Sequence, residues 1–273
     1  MKIKGILLST LPYVAAILFM KWLSLQIPQI EYIGNLKVDI HLPELVELSD
    51  AGIVFTGAFF VMGLMLAATM SDFKESEKIP GEVACNLEAV KDGMLLALKT
   101  YKPAEGKPHL DKNYFQITLR EVSETIVSWF SSSDKDSKAI FPALRRLNEI
   151  AYHIATAGAE KEAVKGIQDN VNQMRKQITR AYTISRTNFI APAYVLLKSI
   201  LFTVITLLFI CKFKTIFASY LVTGFVSFIF IYLFILIKGL DNPFEIGKDE
   251  TEVDLLPLDR FKSRINDGFD EIQ

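Results

Sequence analysis

The chain has 273 residues, 51% of them hydrophobic and 22% charged, with 30 basic against 31 acidic side chains. A net charge of -1 argues against a nucleic-acid binder, which needs a basic excess to meet phosphates, and the length suggests about two folding units. The cysteines, Cys85 and Cys211, lie far apart and build no CxxC pair, metal spacing or disulfide ladder, which excludes secreted disulfide scaffolds and zinc modules.

Charges fall unevenly along the chain. The first apolar stretch, Gly5 to Met20, has 16 uncharged residues and resumes after Lys21 with Trp22 and Leu23. A secretory signal peptide competes for this stretch. No Ala-x-Ala-like cleavage site follows at the right distance, and Lys21 with Trp22 suits an interfacial anchor, so a retained first helix is expected. Between Gln26 and Asp50 lies an outer loop with Glu31, Asp39, Glu44, Glu47 and Asp50 against the single lysine Lys37.

Asp50 and Asp72 then bracket 21 uncharged residues, and Lys214 and Lys238 bracket 23. Each run reaches the roughly 20 residues a helix needs to cross a hydrocarbon core. Another candidate crossing runs from Phe189 to Cys211 and carries Lys198 inside it, a residue that must snorkel, pair or face water. Pro192 near its start marks a first turn or a kink.

Four crossings put both termini on one side. That side holds ten lysines and arginines near the crossings, and the other holds four: Lys21, Lys37, Lys212 and Lys214. The positive-inside rule therefore predicts cytoplasmic termini in an integral, multi-pass protein. Four regions are expected: 1–71 with two crossings and the outer loop, 72–186 as a cytoplasmic helical domain, 187–238 with two more crossings, and 239–273 as an acidic cytoplasmic tail.

The insert 72–186 has 18 basic and 16 acidic side chains, so it is compatible with water. Val83 to Tyr101 places Leu87, Val90, Met94, Leu95 and Leu98 at helical spacing. Lys102 to Pro108 is a Pro/Gly loop. Tyr114 to Phe130 and Ile140 to Ala157 repeat the stripe, with Ser131 to Ser137 as the break, and Glu160 to Ser185 reads as a long helix. Such stripes bury against one another as a helical bundle. The sequence holds no glycine-rich phosphate loop, HExxH or GxSxG motif. His41, His109 and His153 stand apart from cysteine and from one another. Neither an enzyme nor a cofactor is expected.

Leu240-Asp241-Asn242-Pro243-Phe244 follows the last crossing, and Asp254-Leu255-Leu256-Pro257-Leu258-Asp259 comes shortly after. Together these resemble the bestrophins, where an acidic-x-Pro-Phe stretch leads to a Leu-Pro-Leu-Asp element in bacterial members. Arg186-Thr187, Pro192-Ala193-Tyr194 and Lys198 are similar to the family's Thr-Pro-x-Pro-Phe-Ala-Tyr entry with a later basic residue. Phe60-Val61-Met62-Gly63-Leu64 looks like its Phe-Val-Leu-Gly-Phe neck. The chain departs at Ser71 to Pro80, where bestrophins usually carry an Arg-Trp-Trp-type stretch.

The resemblance implies an all-α membrane protein, pentameric around one central pore, in a bacterial inner membrane. Its partners would be lipid, small monovalent ions and four further copies of itself. The neck carries over to Thr56, Phe60 and Leu64, four apart on one helical face, a face able to gate by dewetting. Leu64 replaces an aromatic, which widens the neck there. Alignment on Pro80 instead gives Phe55, Phe59 and Gly63. In animal bestrophins an acidic cluster after Pro-Phe contributes to a calcium clasp, and Asp249, Glu250, Glu252 and Asp254 stand in that place. Calcium wants several hard oxygen ligands, but Lys248, Thr251 and Val253 interrupt the run. It matches the bacterial pattern, which lacks the clasp, so a solvated tail without metal is expected.

Charge selectivity divides the expectations. The family prior is chloride, with cation-selective members among bacteria. The outer loop carries -4 per subunit, and five copies would concentrate cations. Arg175, Lys176, Arg180 and Arg186 would instead draw anions to a cytoplasmic vestibule. The alternative to a channel is a non-conducting membrane scaffold with the helical insert as its docking module.

Overall fold

Without water to bond, a backbone in hydrocarbon must satisfy its own polar groups, and the helix is the local way to do so. The computed structural model describes residues 3–26, 30–33, 36–40, 45–102, 105–132, 134–186, 191–241, 243–244 and 252–271. Among these, four helices are long and apolar enough to cross a membrane. They are α1 (Ile3–Leu25), α2 (Leu48–Thr100), α6 (Ala191–Ile210) and α7 (Ile216–Leu240). The other helices are α3 (Lys112–Ser131), α4 (Ser137–Ala157), α5 (Lys161–Arg186) and α8 (Leu256–Ser263). Packing groups Met1–Ser71 with Asn188–Asp241, and Asp72–Thr187 with Asn242–Gln273.

In the first unit α1 and α6 both pack on α7. The role of Lys21 goes beyond the anchoring read from the sequence. The side chain is fully buried, and its Nζ donates to the carbonyls of Leu208 at 2.8 Å and Phe209 at 3.1 Å. These belong to the last turn of α6, whose carbonyls have no intrahelical donor. A cation is also the favourable charge at a helix C-terminus, and the Phe213 ring lies 5.1 Å from the ammonium. Trp22, one residue on, stays exposed and stacks on Phe19 at 5.8 Å.

The loop between α1 and α2 contains strands that were not expected from the sequence. β1 (Ile30–Ile33) pairs antiparallel with β2 (Leu36–Ile40). In the sequence, Leu36, Val38 and Ile40 alternate with Lys37 and Asp39, which is the period of a strand. β3 (Val46–Glu47) and β4 (Cys211–Lys212) pair in parallel, tying the start of α2 to the end of α6. His41 and Glu44 lie outside the described residues.

The helix α2 runs unbroken through 72–82, joining the second expected crossing to the helix expected from Val83. Its glutamates and lysines there are good helix formers, and Pro80 within it removes only one backbone donor.

The second unit is a bundle closed by apolar stripes from α2, α3, α4 and α5. Leu87, Leu119, Leu147 and Ile167 are fully buried representatives of the four. Its helices begin where the sequence supplies caps. Asp111 accepts from the Asn113 amide at 2.8 Å and Asp136 from that of Lys138 at 2.9 Å. Gly158 ends α4 in the left-handed conformation, φ 81°, which glycine adopts without strain.

The C-terminal segment is not a solvated tail. Val253, Leu258, Phe261, Ile265 and Phe269 are all buried in the bundle core. Lys91 pairs with Glu88 at 2.7 Å and donates to the Arg264 carbonyl at 3.2 Å, while the Arg264 guanidinium reaches Glu88 at 2.9 Å. Gln116 and Arg120 both donate to the Asn266 side chain.

The buried lysines make both units testable. Lys21→Met removes the donors to Leu208 and Phe209, at a cost of about 1–3 kcal/mol for each buried group left unsatisfied. Thermal unfolding in detergent should show a lowered midpoint, largely restored by Lys21→Arg; an unchanged midpoint rejects the cap.

In the second unit, burial pulls the Lys135 ammonium down to about 8, and its Nζ reaches the Phe130 carbonyl at 2.6 Å. The unfolded chain keeps that proton until pH approaches 10.5. Between those values the unfolded state binds more protons, so this term raises stability with rising pH. The wild-type midpoint minus that of Lys135→Met should therefore increase from about pH 8 towards 10.5; a flat or falling difference contradicts it.

Candidate functional site

The apolar part of α2 has two unlike faces. One buries Met62 and, partly, Phe55, Ala58, Met65 and Leu66 in a cluster with Leu197, Val204 and Leu208 of α6 and Phe230 and Ile237 of α7. The other leaves Ile53, Thr56, Phe60, Leu64 and Ala67 exposed on the single chain. Phe60 is 64% exposed and Leu64 57%, values matched or exceeded by Leu8 on α1, Phe202 on α6 and Phe225 on α7 in the single chain. The Thr56 hydroxyl donates to the Gly52 carbonyl at 2.8 Å, so this polar group is satisfied within its own helix.

The two sequence registers fall on different surroundings. Thr56, Phe60 and Leu64 form one uncovered row. Phe55 is half-buried in the cluster, whereas Phe59, though edge-on to Phe230 with ring centroids 6.4 Å apart, is itself 53% exposed. Gly63 is exposed.

Supports for this unit come from two of the sequence motifs, which meet. The Tyr194 hydroxyl donates to Asp241 Oδ2 at 2.7 Å, linking the first turn of α6 to the end of α7. The Asp241 amide in turn bonds the Ile237 carbonyl at 3.1 Å, closing the last turn of α7. No spacing rule pairs residues 47 apart. Lys198 is exposed. A stripe of small polar residues on α7, Ser219, Thr223 and Ser227, is buried with hydroxyls lacking a hydrogen-bond partner. Small residues at that spacing let neighbouring helices approach closely.

The C-terminal motif positions a different part of the chain. Pro243 is buried, and the Phe244 ring lies 5.9 Å from that of Phe130 in the bundle core. The Val253 amide donates to the Pro243 carbonyl at 3.0 Å. Asp254 Oδ1 accepts from the Leu256 amide at 2.8 Å, which fixes the turn into α8. Pro257 is half-buried, Leu258 is buried in the core and Asp259 is exposed.

Of the calcium candidates, Asp249 and Glu250 lie outside the described residues, as does Asn242 of the motif. Glu252 is half-buried, and Asp254 already serves the turn. Among the described residues no group of three or more His, Cys, Asp or Glu is arranged to hold a metal. His109 lies beside Tyr101 and His153 stands edge-on to Tyr114, ring centroids 5.6 Å apart in each pair, and both histidines are exposed.

No sequence-family model matches the chain, and no curated protein sequence does. Solved structures do. A single-residue variant of a bacterial bestrophin homologue from Klebsiella pneumoniae matches at TM-score 0.68 and 15% identity, covering 98% of this chain and 99% of that one. The structure of a bacterial bestrophin homologue from the same organism obtained by zinc phasing matches at TM-score 0.69 and 14% identity, covering 98% and 99%. A single-residue variant described as a membrane protein matches at TM-score 0.74 and 15% identity, covering 94% and 97%. At such identities the likeness is one of architecture, and it extends over nearly the whole of each chain. With its four long apolar helices, this is an integral membrane protein with a bestrophin-like fold.

Proposed function

We propose that the chain is the subunit of a homopentameric ion channel in a bacterial inner membrane. Five copies of α2 line one pore, with Thr56, Phe60 and Leu64 forming its neck. The supporting observation is the row of large apolar side chains left uncovered along one face of a helix whose opposite face is packed. A ring of Phe60 with a ring of Leu64 makes a constriction that water leaves easily, a barrier to ions without any charged gate.

In this reading the bundle of α2 to α5 and both termini are cytoplasmic, in line with the excess of lysine and arginine on that side of the crossings. The conducted species are small monovalent ions. The family resemblance favours chloride, and the acidic loop between the first two crossings favours cations at the outer mouth.

The experiment is current through the purified protein in a planar bilayer under a KCl gradient. Phe60→Ala and Leu64→Ala each open the constriction and should raise conductance over wild type, and cysteines placed singly along residues 53–68 should react with water-borne reagents at every third or fourth position. No current in wild type or either variant, with uniform protection along α2, replaces the channel with a non-conducting scaffold.

A further inference from the structure

An ammonium group on a membrane-spanning helix needs water, a counter-charge or both. Lys198 is the one charged residue between Pro192 and Ile210, and its side chain is exposed. Val195 and Phe202, about a turn to either side of it, are 63% and 72% exposed, as lipid-facing residues are. Lys238, in the last turn of α7, is exposed as well. Neither lysine has a hydrogen-bond, ion-pair or ring partner among the described residues.

Helix geometry within the first unit brings the two together. Five residues join α6 to α7, and Tyr194 at the start of one bonds Asp241 at the end of the other, so the helices are antiparallel neighbours. Leu197 and Ile237 both lie in their common buried cluster. The next residue along a helix turns about 100° away, and between antiparallel helices the two turns fall on the same side. Lys198 and Lys238 therefore project from one side of the pair, within roughly one turn of the same depth. Side chains lean towards the N-terminus of their own helix, which here inclines the two lysines towards each other. Packed helix axes lie about 8–10 Å apart, a gap that two such side chains can close around one small anionic group.

The charge left over at this end of the unit is positive. Among its described residues the one acidic side chain here is Asp241. It stays within about 40° of Ile237, on the seam side, and accepts the Tyr194 hydroxyl at 2.7 Å.

We infer that Lys198 and Lys238 bind the phosphate of an anionic phospholipid, with an acyl chain laid along Phe202. The inference rests on the membrane fold and not on conduction. Where water is scarce, an ammonium–phosphate contact is stronger than at an open surface, and basic positions between spans suit anionic headgroups. A zwitterionic lipid fits less well, because its own cation comes close to the two lysines.

The test is thermal unfolding of the purified full-length protein, stripped of lipid in a neutral detergent, with phosphatidylglycerol, phosphatidylcholine or inorganic phosphate added. Phosphatidylglycerol near saturation should raise the wild-type midpoint at least about 5 °C above that in phosphatidylcholine. The double variant Lys198→Gln, Lys238→Gln should match wild type in phosphatidylcholine and lose most of that difference, while Lys198→Arg with Lys238→Arg should keep it. Native mass spectrometry should show phosphatidylglycerol retained at least about tenfold less by the glutamine variant.

Equal midpoints in the two lipids, or the same difference in wild type and the glutamine variant, overturn the site and leave both lysines reaching for water. A shift reproduced by inorganic phosphate alone overturns the lipid as its occupant. If the double variant does not fold, single Lys198→Gln and Lys238→Gln proteins decide by the same difference between lipids.

Discussion

Backbone polar groups that enter hydrocarbon must carry their partners with them, and much of the first unit is organised around that rule. Within the spans, several hydroxyls turn back onto their own helices. Thr10 donates to Leu7, Thr69 to Met65 and Thr206 to Phe202, all through backbone carbonyls. The end of α6 is the place where the rule bites hardest, because its final carbonyls have no turn after them. Lys21 answers from another helix. A residue that hydropathy alone counts against a crossing thus closes the contact between α1 and α6.

The two parts of α2 meet different demands with one backbone. Its apolar part needs an uncharged surface and packs through Met62 and its neighbours. The part beyond Ser71 is an ordinary amphipathic helix, with Val83, Leu87, Val90 and Met94 inward and charges outward. Helix geometry is indifferent to the change of solvent, which is why neither the charged run 72–78 nor Pro80 ends it.

The features legible in the sequence were those with a large, local free-energy signature. Gaps between charges mark crossings because ionised groups are costly in hydrocarbon, and three-to-four spacing marks the bundle helices because it places apolar groups on one side. The row Thr56, Phe60, Leu64 came instead from the resemblance in the neck motif; its common phase is a property of a single helix. What covers a face belongs to an assembly and leaves no such spacing. The role of Lys21 was hidden for another reason: its partners lie 187 and 188 residues away, and a lysine beside a tryptophan has a simpler local explanation. In the tail, acidic residues drew the eye, although Leu258, Phe261, Ile265 and Phe269 recur at helical intervals and are the ones that dock.

The bundle core is discontinuous in sequence. Helices α2 to α5 are made first, then the apolar pair α6 and α7, and only afterwards the residues 258–269 that fill the remaining space. During synthesis the bundle must wait, with part of its interior open, while two apolar helices pass the insertion machinery. Phe261 and Phe269, both fully buried, arrive last and seal it. A nascent chain stopped after α7 would present the cell with an unfilled apolar surface, the feature by which quality control distinguishes unfinished proteins from finished ones.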